Sequence, residues 1–597
     1  MSHAKGIKSG SRGMKSVDTP TDGKKSLIRL FKYIAHEKVL LAVVFLLIII
    51  NIAANIGGSY LLRPIINNYI LPGNIDGLLK MLVLLAGIYL IGILSVLIQY
   101  RILNKVGQRT VAALRRDLFN KMEMLPVRYF DTRQHGELMS RYTNDIDRVS
   151  DALTDSLSGL LNSLLLLSGI LILMIYISPL LTLVALLVIP LAGIAATKIV
   201  KRSRRYFKEQ QETLGAANGF IEEMITGQKV VRVFAHEPIA EKEFDSLNEN
   251  LKYKSQKAQL YSGMMMPVMQ SMNTLSFVFI TVAGALLALF RGFDLGGLAA
   301  FLQYSRQFGR PINELANQYN ILQAAIAGAE RIFKVIDETP ENQEDPMQSP
   351  LSEVKGHIVF NEVWFGYDPE KPVLKGISLE ISPGQKVAFV GSTGAGKTTI
   401  LNLLPRFYEV QQGEILVDGI PIDRFPREEL RRSIAIVLQD THLFTDTVME
   451  NIRYGKPEAS DEEVIRAAKL AAAHSFITRL PQGYHTRLTD DGATLSQGQR
   501  QLLNIARAAI ADTPILLLDE ATSNVDTRTE ILIQQGIDEL MKGKSSFIIA
   551  HRLSTVMNAD KIIVLENGII VESGTHTDLL KKKGRYSELY QKQFETD

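Results

Sequence analysis

The chain has 597 residues, more than one hydrophobic core organises, so several domains are expected. Its 66 Lys and Arg against 63 Asp and Glu leave a net charge of +3, which gives no support to a chain built to coat nucleic acid. The absence of cysteine excludes disulfides, Cys-ligated zinc, iron–sulfur clusters and a cysteine nucleophile, while 46% hydrophobic with 22% charged residues suits a membrane half joined to a soluble half.

Residues 1–38 form a basic N-terminal segment with nine Lys/Arg against three Asp/Glu. Val39 to Leu62 then runs 24 positions without a charge and Met81 to Tyr100 runs 20, each long enough to cross a bilayer as a helix. Ser156 to Thr197 is uncharged over 42 residues and broken at Ser178-Pro179, which reads as a helical hairpin. Ala258 to Phe290 adds a fifth run, and Leu295 to Ser305 begins a sixth that turns polar at Arg306. Six membrane helices are therefore expected, at about 39–62, 81–100, 156–177, 180–198, 266–290 and 295–320, within a domain spanning 39–336. No cleaved signal peptide is expected, because the first apolar run begins late and is too long.

Basic residues set the orientation. The stretch 101–151 holds ten Lys/Arg and 198–257 holds twelve, whereas the opposite connections are nearly bare, so both termini are expected in the cytoplasm of a multi-pass cell-membrane protein. Helical apolar spacing in Arg109 to Leu125 and Tyr206 to Phe234 predicts that the membrane helices continue below the bilayer and turn back at short bends. Residues 337–355, acidic and Pro-containing, predict an exposed linker ahead of a domain at 356–597.

In that domain the strand Lys386 to Val390 runs into Gly391, Ser392, Thr393, Gly394, Ala395, Gly396, Lys397 and Thr398, with Thr399 opening an apolar helix. This is a P-loop in its required setting: glycines let backbone N–H groups curl around phosphates, Lys397 reaches the β and γ phosphates, and Thr398 offers a hydroxyl to Mg2+. ATP with Mg2+ is the implied cofactor. Ile515 to Leu518 reads as a buried strand ending in Asp519 and Glu520, with Asp519 placed for the metal shell and Glu520 to polarise an attacking water.

Together these residues resemble the ATP-binding cassette (ABC) transporters, in particular half-size exporters with the membrane domain fused ahead of the nucleotide-binding domain. Leu495-Ser496-Gln497-Gly498-Gln499 resembles the family signature, Gln439 the Q-loop glutamine, Ser523-Asn524-Val525-Asp526 the D-loop, His551 the switch histidine and Tyr367 the aromatic that stacks on adenine. The segments beginning at Phe130 and Gly219 resemble the two intracellular coupling regions. The resemblance implies an all-α six-helix membrane domain followed by an α/β P-loop ATPase. It also implies catalytic roles for Lys397, Gln439, Glu520 and His551, with Gln439 in the metal shell beside Thr398 and Asp519. Two cassettes would close on ATP held between the P-loop of one and Ser496, Gly498 and Gln499 of the other.

Where the family signature carries glycine this chain has Gln497, and Asp490 stands where many exporters have glutamate. Exporters that pair two different half-transporters look like this, so the resemblance favours a heterodimer over a homodimer. The substrate is expected to be an amphiphilic drug or lipid; a homodimeric lipid exporter and a non-transporting ATPase that gates a partner are the alternatives. Arg306, Arg310 and Glu314 share one helical face and serve equally as a polar gate or an ion-pair rung, while Asn51 and Asn55 extend a polar stripe along the first span. Met264, Met265, Met266, Met269 and Met272 suit an adaptable apolar pocket, although ordinary packing is the favoured reading.

Overall fold

The computed structural model describes residues 22–341, 354–439, 441–519, 527–549 and 556–594. The chain forms two compact units, Met1–Glu123 with Arg133–Glu338, and Met124–Thr132 with Thr339–Asp597. The first unit ends at Glu338, and nine residues of the first inner connection, Met124–Thr132, group with the second unit.

The first unit is helical. Among the described residues five helices are long and apolar enough to span a membrane: Gly23–Ile70, Ile75–Glu123, His135–Ile177, Pro179–Thr226 and Glu237–Arg291. At 49 residues, Ile75–Glu123 is about 74 Å long, more than twice a hydrocarbon core, so its polar end from Arg109 onward is an extension of the span. Pro179–Thr226 likewise runs unbroken through Tyr206, and the chain turns back at the short helices Val127–Asp131 and Gln228–Val233. The hairpin break is a helix start: the Ser178 hydroxyl accepts the Leu181 N–H at 3.3 Å, with Pro179 at the first helical position, where its missing N–H costs nothing.

The residues expected to form a sixth span lie in the 42-residue helix Leu295–Ile336, which is not among the five apolar ones. Packing accounts for its polarity. Phe301 and Tyr304 are fully buried against Ile48, Ile52, Ile170 and Met174, and the Tyr304 hydroxyl donates to Ile56 O at 2.7 Å, so this helix presents much of its surface to protein. Exposed leucines, isoleucines and valines crowd the other helices, among them Leu82, Val83, Leu90, Ile91 and Leu187, as a lipid-facing surface requires.

Among its described residues the second unit holds two sheets. An antiparallel one has the order β2-β1-β4-β5, with β1 Ile358–Phe365, β2 Leu374–Ile381, β4 Gln412–Val417 and β5 Ile420–Pro421. The larger has the order β10-β9-β3-β8-β7-β6, built from β3 Lys386–Val390, β6 Ile434–Val437, β7 Ile515–Asp519, β8 Ser545–Ile549, β9 Lys561–Glu566 and β10 Ile569–Gly574. All its pairs are parallel except β9 with β10. Alternation splits its side chains between two cores: Val387, Phe389, Ile515 and Leu517 on one face, Ala388, Val390, Leu516 and Leu518 on the other. Both faces are covered, which is why these strands read as unbroken apolar runs.

The linker departs from expectation. Glu341 is not a solvated linker residue: Arg431 grips its carboxylate in a bidentate pair at 2.7 and 2.9 Å, and its N–H donates to Met124 O at 2.7 Å. The rest of the acidic stretch, 342–353, lies outside the described residues.

Candidate functional site

The parallel order β3-β8-β7-β6 brings four chain crossings to one sheet edge, the carboxyl ends of the strands, where α/β proteins bind ligands. The P-loop leaves β3, Asp519 ends β7, and Gln439 follows β6 by two residues, exposed. Glu520 and His551, nominated from the sequence, and the D-loop residues lie outside the described residues.

The loop geometry explains its glycines. Gly394 and Gly396 take left-handed backbone at φ 82° and 103°, and a Cβ at Gly391 would sit 2.2 Å from Leu565 O. Ser392, Thr393 and Thr398 are exposed, whereas Ala395 and Thr399 pack inward, so Thr399 helps seat the loop on the core. The Lys397 ammonium donates to Gly391 O at 2.7 Å and Ser392 O at 3.0 Å, lying across the mouth of the loop it serves. Burial pushes its pKa down, and the nearby Asp519 carboxylate opposes that shift. A cation held partly out of water across a glycine-bent turn is an arrangement suited to polyphosphate.

Tyr367 is half open to solvent, and its hydroxyl accepts from Asn402 Nδ2 at 3.2 Å, which ties it to the helix Lys397–Leu403 that continues the P-loop. Tyr408, which sequence reasoning passed over, stands perpendicular to it at 4.9 Å between ring centroids. Its only sequence signal is an aromatic pair, Phe407-Tyr408, one helix beyond the P-loop.

The signature residues are folded for a different duty. Ser496 caps the helix Gln497–Ala511 in a reciprocal capping box: its hydroxyl accepts the Gln499 N–H at 3.2 Å and the Gln499 side chain accepts the Ser496 N–H at 3.0 Å. Gly498 is buried beneath, and Gln497 projects into solvent. Among the described residues no hydrogen bond joins Ser496, Gly498 or Gln499 to the P-loop of the same chain.

In the membrane unit, a cavity of about 220 Å³ lies among the helices Leu157–Ile177, Pro179–Thr226, Met265–Arg291 and Leu295–Ile336. Met174, Met265, Met269 and Met272 line it, with Asn273, Ser276, Ser305 and Asn313 as neutral polar groups. Three of the five clustered methionines are thus cavity wall and not the ordinary packing favoured from sequence. Arg306, Arg310, Asn51 and Asn55 do not line it. Arg306 lies over the Phe277 ring at 4.4 Å and Glu314 accepts from Gln318 at 2.6 Å, and among the described residues no ion-pair rung forms on that face; Arg310 is exposed.

A P-loop ATPase unit that follows a bundle of membrane helices in the chain defines a membrane ATPase. Residues 41–312 match the ABC transporter transmembrane region and residues 374–523 match the ABC transporter family. The chain belongs to the ABC transporters and is a half-size exporter, an ATP-binding enzyme whose hydrolysis of ATP is coupled to transport across a membrane. It is 46% identical over 585 residues to the uncharacterized ABC transporter ATP-binding protein YfiC of Bacillus subtilis (strain 168), covering 98% of this chain and 96% of that protein. It is 44% identical to the fatty acid ABC transporter ATP-binding/permease protein of Mycobacterium tuberculosis (strain CDC 1551 / Oshkosh), over 85% of this chain and 80% of the relative. The ATP-dependent lipid A-core flippase of Syntrophus aciditrophicus (strain SB) is 36% identical over 90% of each chain. Among solved structures, a bacterial Atm1-family ABC exporter with ATP bound superposes with a TM-score of 0.73 at 28% identity, covering 93% of this chain and 98% of that one.

Proposed function

We propose that this chain exports amphiphilic, largely apolar molecules, lipids or lipid-like drugs, by alternating access, as one half of a dimer whose other half is a different half-transporter. The membrane cavity carries the substrate class. Methionine side chains are unbranched and polarisable, so they mould to varied apolar shapes, while Asn273, Ser276, Ser305 and Asn313 offer neutral hydrogen bonds to a polar end. Relatives named for fatty acid transport and lipid A-core flipping support the same class.

The dimer is supported by the family, whose exporters work as dimers, and by Ser496, Gly498 and Gln499 making no hydrogen bond to the P-loop of their own chain among the described residues. A different partner is favoured by Gln497, a long side chain at the exposed first turn of the signature helix where the family carries glycine. Thr398, Gln439 and Asp519 would hold Mg2+ with the nucleotide: hydroxyl, amide and carboxylate oxygens are the hard donors it prefers. The ion would neutralise charge on the phosphates while Lys397 grips them, with Glu520 orienting water and His551 facing the γ-phosphate. The basic inner connections support cytoplasmic termini in the cell membrane.

The test is ATP-dependent movement of a fluorescent short-chain phospholipid by the purified complex in vesicles. Gly193 lines the cavity and a Cβ there would meet nothing within 4 Å, so Gly193→Leu adds apolar bulk at the cavity wall with no clash at its Cβ. A lower yield of lipid moved per ATP hydrolysed supports the reading; ATP hydrolysis with no lipid movement by the unsubstituted complex assigns the chain to the non-transporting class. The subunit composition of the same preparation decides between a second half-transporter and a homodimer.

A further inference from the structure

The helix Pro179–Thr226 turns opposite faces to different surroundings. Ala185, Val188 and Ala196 line the membrane cavity from one face. Leu183, Leu187, Leu191 and Ile194 recur at helical steps of three or four residues on the other face, and each is more than half exposed. The same steps continue through Lys198, Lys201 and Arg205, with Arg202 beside them, and all four are exposed. The charge-free run ends at Thr197, so within one turn a single stripe changes from hydrocarbon to cation.

Other cations on the inner helical extensions are neutralised inside the chain. Arg109 pairs with Glu37 at 2.7 Å, Arg205 with Glu209 at 3.0 Å, Lys254 with the same carboxylate at 2.6 Å, and Lys208 with Glu212 at 3.8 Å. Among the described residues Lys198, Lys201 and Arg202 have no such partner, and the neighbouring helices supply none. This helix carries no acidic residue from Pro179 to Lys208. Of the helices packed against it, Leu157–Ile177 has none, and none occurs from Asn250 to Phe293, the stretch that holds the end of Glu237–Gly263 and all of Met265–Arg291. Three exposed like charges within two turns repel one another, a cost that an external anion removes. One turn beyond Arg202, Tyr206 stacks on Tyr261 at 5.1 Å between ring centroids and 4° from parallel, and tyrosine is enriched at the level of lipid headgroups.

We propose that Lys198, Lys201 and Arg202, together with the apolar stripe Leu183, Leu187, Leu191 and Ile194, bind an acidic phospholipid of the surrounding membrane. Both ends of such a lipid are matched: its acyl chains lie along the leucines, and its phosphate oxygens accept from the lysines and the arginine, whose long stems reach headgroup level. A protein partner is matched less well, because covering three cations takes them out of water at a large cost, whereas headgroups leave them hydrated. The lipid is a resident ligand and not cargo. It lies on the side of the helix away from the cavity, so the proposal stands whichever molecule is transported, and it anchors a helix that forms one cavity wall at a fixed depth in the bilayer.

Photo-cross-linking of the full-length complex tests this, with phosphatidylglycerol or phosphatidylcholine carrying a diazirine on the acyl chain. Vesicles with the same lipids in both leaflets make the outcome independent of which way the chain is inserted. Phosphatidylglycerol is expected to label peptides covering 183–194 about fivefold or more above phosphatidylcholine. Unlabelled phosphatidylglycerol is expected to remove that label, and inorganic phosphate at the same concentration to leave it. The combined variant Lys198→Gln, Lys201→Gln and Arg202→Gln is expected to bring labelling down to the phosphatidylcholine level, with labelling of peptides covering 82–97 unchanged as the mark of an intact membrane domain. Lys198→Arg, Lys201→Arg and Arg202→Lys together keep the charges and are expected to keep the preference. Equal labelling by the two lipids in the unsubstituted complex, or an undiminished preference in the triple glutamine variant, overturns the proposal. So does labelling by neither lipid, which would place a second half-transporter over the stripe, and so does displacement by inorganic phosphate, which would assign the cations to a soluble anion.

Discussion

In the nucleotide unit, the consecutive residues Gly391 to Thr398 supply a loop of backbone donors with Lys397 across its mouth. In the membrane unit, the cavity draws on four helices, from Leu171 to Asn313, and no two of its methionines from different helices are near in sequence. Phosphate is recognised by dipoles and a charge at fixed short range, which one tight turn can present. An apolar ligand is recognised by shape and contact area, which only surfaces from several elements can enclose. The first kind of site therefore leaves a motif; the second leaves a composition.

The largest effect expected from this contrast is at the nucleotide. Glu520→Gln should keep ATP binding but lower turnover by roughly a hundredfold or more, because in the proposed role it removes the carboxylate that would orient water and spares the loop. Phosphate release together with ATP binding to the purified complex measures both, and near-normal hydrolysis would remove Glu520 from its role.

A single methyl group probes how tightly the loop is built. Gly391→Ala places Cβ 2.2 Å from the Leu565 carbonyl oxygen, so backbone must shift at a cost of about 1–3 kcal/mol, and ATP should bind more weakly. Thermal unfolding with and without ATP reads this. Gly193→Leu in the membrane cavity has no such clash to relieve, and comparable destabilisation by the two substitutions would break the contrast between a packed loop and an open cavity.

Arg310→Ala should reduce transport more than basal ATPase, by a few-fold, since the residue lies on the membrane helix Leu295–Ile336 in the other unit from the phosphates. Equal loss of both in a well-folded protein would give Arg310 a structural duty. The smallest effect belongs to Gln497→Gly, whose side chain is solvent-facing: with the native partner present, turnover should change by less than about twofold. A large gain, or full activity of this chain purified alone, would replace the heterodimer by a homodimer.

Sequence alone determined the order of the domains, the apolar spans, the Ser178-Pro179 break and the P-loop with its strand and helix. Each depends on neighbours in the chain: hydrocarbon thickness demands a run of apolar residues, a helix start demands a cap, and phosphate demands a glycine turn. Tertiary structure decided that Met265, Met269 and Met272 face a cavity, that Glu341 is pinned by Arg431, and that Arg306 lies on Phe277 instead of pairing with Glu314. It also placed Tyr408 between Asp131 and Tyr367. A methionine on a membrane helix has the same local sequence whether it fills a core or borders a void, and a tyrosine does not reveal which of two distant residues its hydroxyl and its ring will meet. Those outcomes depend on the positions of helices and strands far apart in the chain, and only the folded packing fixes them.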